Sequence, residues 1–107
     1  MIKLDPNYME FAEVDGMWIR SYTLEKANTV AAQHVHTHAH ITLLASGTVR
    51  MWQNGEEIGE YVAPAILTVP AGKKHSFMAV TDNVVLCCLH NLRGTEFDTP
   101  QFLSEVA

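Results

Sequence analysis

The sequence predicts an all-β domain, closed into a sandwich or a small barrel. Three observations point there. Helical periodicity is nearly absent from the chain. Short runs rich in Val, Ile, Thr, Trp and Tyr recur, each bounded by turn residues. Asn54-Gly55 then stands between two such runs, and this dipeptide favours the positive φ angles of a tight hairpin turn.

The elements follow in order. After the turn Asp15-Gly16, MWIRSYTL (Met17–Leu24) reads as a strand, and Ala31–His36 as the next. Ile41–Ala45 is a buried strand ended by Ser46-Gly47. Thr48–Gln53 and Glu56–Val62 pair across Asn54-Gly55. Ala65–Val69 is bounded by Pro64 and Pro70, and the turn Ala71-Gly72 leads into His75–Val80. The turn Asp82-Asn83 precedes the last long strand, Val84–Leu92, and Phe97–Ala107 reads as a polar tail or a short helix capping one end. Several strands, VVLCCLHNL above all, are apolar on both faces. Either they are central strands packed inside one sandwich, or a second subunit covers an outer face.

A chain of 107 residues with no repeat, linker or low-complexity block makes residues 1–107 one domain. Apolar residues are 48% and charged residues 18%, which favours a packed core over a disordered chain. The net charge of −5, with seven Lys and Arg scattered along the chain, argues against nucleic acid as a partner. No apolar run is long enough to span a bilayer, and MIKLDPNYMEF has neither the basic region nor the apolar stretch of a signal peptide. Cys87 and Cys88 are adjacent, which suits a disulfide badly, so they read as free thiols of a reducing cytoplasm rather than a redox pair.

The chemistry concentrates in HVHTHAH. His34, His36, His38 and His40 occupy alternate positions, four of the six histidines in the chain. On a straight strand they would share a face, but His34 and His40 would stand roughly 20 Å apart at ~3.3 Å per residue. Metal–nitrogen bonds of ~2.0–2.1 Å cannot span that distance. Either the rings form a ladder on a wet face, or the chain turns a corner at Thr37–Ala39 and brings His40 back beside His34 and His36. A corner placed elsewhere would group His36, His38 and His40 instead. His75, delivered to a strand start by the turn in VPAGKKHSF, is the candidate fourth ligand.

These residues resemble the two motifs of the cupin family. The first, G-x5-H-x-H-x3–4-E-x6-G, is matched by His34-x-His36-x3-His40-x6-Gly47, with Asn28 at the leading Gly and His40 where the family usually has Glu. The window is also similar to the branch reading H-x-H-P-H-E-Q, in which the position of His38 is not usually a ligand. The second motif, G-x5-P-x-G-x2-H-x3-N, is matched by Pro70-Ala71-Gly72-x2-His75, with Pro64 and Ala79 at its ends. The resemblance spans about half the chain. It implies a cupin-type jelly-roll β-barrel, a divalent metal held by His34, His36, His40 and His75, and commonly a homodimer.

Four imidazoles add no negative charge to a divalent ion. They suit Fe, Ni or Zn, with Mn less favoured than in a site carrying Glu. Two further positions on such an ion would take a small anionic or enolisable molecule. His90 and Tyr22 are the candidates for acid–base work, with a satisfied core histidine as the plainer reading of His90. Met51, Phe77 and Met78 read as core, Trp18 and Trp52 as packing or interface anchors, and Glu56, Glu57, Glu60, Lys73 and Lys74 as solvated turns and faces. Three classes of function follow: a metal-dependent oxygenase, lyase or isomerase; a non-catalytic metal- or small-ligand-binding or sensing module; and a fold tied together by a structural ion. A closed tetrahedral site would mark the last, and open positions facing a pocket the first.

Overall fold

The computed structural model describes residues 3–4, 8–35, 39–91 and 101–102, with the side chains of residues 12–31 and 39–90. The described residues form eleven strands: β1 Lys3–Leu4, β2 Tyr8–Val14, β3 Met17–Leu24, β4 Thr29–Val35, β5 His40–Ser46, β6 Thr48–Gln53, β7 Glu56–Val62, β8 Ala65–Val69, β9 His75–Ala79, β10 Val84–Asn91 and β11 Gln101–Phe102. They make two sheets. One has the order β1-β4-β9-β6-β7, with β11 also paired to β4; the other has the order β2-β3-β10-β5-β8. Pairing is antiparallel except for β1 on β4. This is the all-β arrangement that the turn-punctuated sequence predicts, in the jelly-roll form that the motif resemblance implies.

Strand parity sets the core. On β3, Trp18, Tyr22 and Leu24 are buried; on β5, His40, Thr42 and Leu44; on β10, Val84, Leu86, Cys88 and His90. Val49, Met51, Phe77 and Ala79 close the core from the opposite sheet. The residues between them on the five-stranded sheet face outward, so both-face apolarity resolves into one packed face and one that is partly exposed. Cys87 and Cys88 are free thiols of differing burial, as alternation requires.

Three strands go beyond the sequence expectation. In YMEFAEV the glutamates interrupt strict alternation, yet the segment forms β2, an edge strand paired along its whole length with β3. Asp15 (φ 50°) and Gly16 (φ 81°) make the two-residue hairpin between them. β1 and β11 are dipeptides too short to carry a period of their own. Within the segment 97–107, expected as a polar tail or short helix, Gln101 and Phe102 pair instead with Val35 and His34. Glu57 and Glu60 are exposed but engaged, at 3.7 and 3.0 Å from Arg50.

Candidate metal centre

The chain changes sheets between Val35, the end of β4, and His40, the start of β5. His36 and His38 fall within that passage and lie outside the described residues, as does the side chain of His34. Backbone register nonetheless sets His34 directly opposite His75 across β4 and β9. Just before His34, three residue steps of β4 face two of β9, from Ala31↔Phe77 to His34↔His75. This bulge is a device common beside functional sites and has no signal in the sequence pattern.

His40 comes from the other sheet. Its ring centroid lies 5.3 Å from that of His75, and the two residues are 5% and 0% exposed. Imidazoles this close, from facing sheets, are near enough for nitrogens with ~2.0–2.1 Å bonds to share one ion. Among the described residues, no group of three or more His, Cys, Asp and Glu side chains is set to hold a metal.

His75 is held from three sides. Its Nδ1 lies 3.4 Å from the Lys73 carbonyl oxygen, so a proton on Nδ1 is donated there and Nε2 is left as the acceptor nitrogen. Phe77 meets its ring edge-on at 5.9 Å. The loop before it is tied to the β6–β7 hairpin: Asn54 N–H donates to Lys74 O at 2.8 Å, and Lys74 N–H donates to Asn54 Oδ1 at 3.1 Å.

His40 is held by a stack. His90 lies against it at 4.5 Å with 27° between ring planes, and Trp18 lies against His90 at 4.3 Å and 16°. His90 is 2% exposed and enclosed between two rings, a placement that suits packing and orientation of His40. The stack was not legible from the sequence, because its members come from three strands.

One step deeper, Tyr22 joins the core. Burial, then the proximity of Cys88, push its phenol well above the ordinary range, only partly offset by Arg20. Tyr22 is therefore a neutral hydrogen-bond donor at physiological pH. Burial also raises the Cys88 thiol, against the hydrogen bond with Thr42, whose Oγ1 lies 3.4 Å from the sulfur. Arg20 sits with its guanidinium 5.1 Å from the Trp18 ring centroid. Sequence reasoning passed over this arginine, though its parity with Trp18 and Tyr22 in MWIRSYTL was the available signal.

No family model matches the chain, and no curated protein matches it by sequence. Solved structures do match. KdgF from Halomonas sp. shares 16% identity over 76% of this chain and 74% of its own, with a TM-score of 0.66. A cupin-2 domain protein of Rhodospirillum rubrum shares 20% identity over 91% of this chain, with a TM-score of 0.71. A cupin 2 domain-containing protein of Halorhodospira halophila shares 15% identity over 85% of it, with a TM-score of 0.68. The chain spans 64% and 60% of the length of the latter two. At these identities the likeness is one of fold, and the fold is that of the small cupins.

Proposed function

We propose that this cupin-fold chain holds a divalent transition ion, Fe, Ni or Zn before Mn, through His34, His36, His40 and His75. It uses the ion as an enzyme of the oxygenase, lyase or isomerase type on a small anionic or enolisable molecule. The observation that carries this reading is the His40–His75 pair: two buried imidazoles from opposite sheets, 5.3 Å apart, with His34 in register opposite one of them.

The donor chemistry fits. Neutral nitrogens suit Fe, Ni and Zn, and such an ion supplies Lewis acidity to an anionic ligand. The chain's own residues do the rest. The Lys73 carbonyl fixes the tautomer of His75, and the Trp18–His90 stack holds the ring of His40. Tyr22 is kept protonated by burial, and its oxygen accepts from Arg20. Among the described residues, an enclosed His90 and a protonated Tyr22 leave little general base in the wall. That favours chemistry centred on the ion, and it equally supports the second reading, a binding or sensing cupin without turnover. The reducing compartment inferred from two free thiols and a homodimer through the outer sheet face complete the proposal.

Metal analysis of the purified protein, joined to an anomalous-scattering structure, tests it. The wild type is expected to carry close to one ion per chain. His75→Ala and His34→Ala should each lose metal affinity by more than the ~10–100-fold that follows loss of an outer-shell partner. His38→Ala should retain the ion. Equal occupancy in His75→Ala removes that residue from the site, and a metal-free wild type sinks the reading. Dioxygen consumption or turnover of a small acid separates the enzyme from the sensor.

A further inference from the structure

The inner face of the five-stranded sheet is ordered in rungs. Trp18 pairs with His90, and His40 lies one residue beyond the last β5–β10 pair, Ile41↔Leu89. The next rung inward is Arg20–Cys88–Thr42, and the next Tyr22–Leu86–Leu44. Arg20 therefore stands between the histidine rung and the apolar core. Its neighbours confirm that it faces inward: the face of Trp18 at 5.1 Å, and Tyr22 and Cys88 within range of its charge and, for Tyr22, of its hydrogen bonds.

A guanidinium on an inner wall is costly unless its charge is answered. Among the described residues no carboxylate forms an ion pair with Arg20. The contrast is Arg50, which faces outward and has two glutamates, Glu57 and Glu60, at 3.7 and 3.0 Å. The described neighbours of Arg20 are an aromatic face, a phenol and a thiol, and burial keeps the last two protonated. Such partners solvate a cation without neutralising it. Among the described residues the positive charge on this inner wall therefore has no carboxylate beside it, in a chain whose net charge is −5.

We propose that Arg20 receives the carboxylate of a small hydroxy- or oxo-acid, whose neighbouring oxygen reaches the histidine rung. The planar fork of arginine suits a carboxylate and offers two parallel N–H donors. Along the strand direction Arg20 lies one rung, ~6.6 Å at ~3.3 Å per residue, from the histidine rung, on the same inner face. Arg20 is half-buried, so part of its side chain remains accessible. This inference rests on the metal-site reading for the second oxygen only. It narrows the substrate from an anionic or enolisable molecule to a carboxylic acid, and makes Arg20 a binding residue and Trp18 the face that positions it.

The experiment uses the full chain, as purified and loaded with Zn(II). Lactate, glycolate and pyruvate are titrated against lactamide, glycolamide and pyruvamide, which keep the shape and lose the charge. Wild type should prefer at least one acid over its amide by about tenfold or more, the range of a hydrogen-bonded charge. Arg20→Gln should bring that preference to within about twofold, and Arg20→Met does the same where the glutamine variant fails to fold, since Met keeps the apolar length of the side chain without its charge. In the wild type itself, the Arg20 Nε–H resonance should move with the preferred acid and stay still with its amide. No preference in any pair, a preference that survives both neutral variants, or a silent Arg20 resonance each overturns the proposal. The two readings fail separately. An Arg20-dependent preference in a protein that binds no metal keeps this site and sinks the metal centre, while a bound ion with no preference does the reverse.

Discussion

Gly47 shows how little freedom single positions carry. Its φ is 84°, and a Cβ placed there would lie 2.7 Å from Val84 Cγ2 and 2.9 Å from Thr81 Oγ1. The same Thr81 hydroxyl accepts from Thr48 N–H at 3.0 Å, and the Gly47 carbonyl accepts from Ala63 N–H at 2.9 Å. Gly47→Ala combines a left-handed backbone with overpacking, so it should destabilise the fold by about 2–4 kcal/mol, read from a denaturant midpoint. A loss below ~1 kcal/mol would mean that the two turns are free to separate. Asn28 makes the complementary point. It stands where the cupin motif has glycine, and its φ is 70°, with its N–H donating to the Ala79 carbonyl at 2.7 Å. Asparagine is among the few residues that tolerate this region, so the departure keeps the turn.

At the scale of elements, the β6–β7 hairpin does more than close two strands. Asn54 has φ 51° and Gly55 φ 82°, the tight turn that the dipeptide predicts. The Asn54 side chain then reaches the loop that carries His75. Two substitutions separate the two roles. Asn54→Gly keeps the backbone and loses the Oδ1 acceptor, an expected cost of about 1 kcal/mol. Asn54→Ala loses both, at about 2–3 kcal/mol. Both should weaken metal binding along with thermal stability, and metal affinity unchanged in both would uncouple the hairpin from the site. The hairpin, β3, and β5 through β10 were legible because each has a period or a bounding turn of its own. β2 was not, because its local pattern is broken and its partner β3 supplies the pairing that holds it.

At the scale of the whole molecule, the described residues present an exposed apolar face. On the outside of the five-stranded sheet, Ile41, Met17 and Ile66 are 44%, 44% and 72% exposed, and Leu43, Cys87 and Leu89 lie half-buried among them. Ile19–Leu89–Ile41 form one outer rung, and Cys87–Leu43–Ile66 the next. A patch of this kind marks an interaction surface. We predict that light scattering gives twice the 11.9 kDa chain mass, and that Ile66→Lys with Ile41→Lys shifts it to the monomer. A monomeric wild type would leave the face to another partner. Among the described residues, no helix is long and apolar enough to cross a membrane.

The sequence by itself determined the all-β class, most strand positions and the histidines that are candidates to hold an ion. These are local matters, set by alternation, turn chemistry and motif spacing. Tertiary structure alone decided that His40 faces His75 across two sheets and that an indole and a second imidazole brace His40. It also set Arg20 on the inner wall beside an indole, a phenol and a thiol. Those facts depend on register between strands far apart in the chain, and register is settled by packing both sheets at once rather than by any one segment.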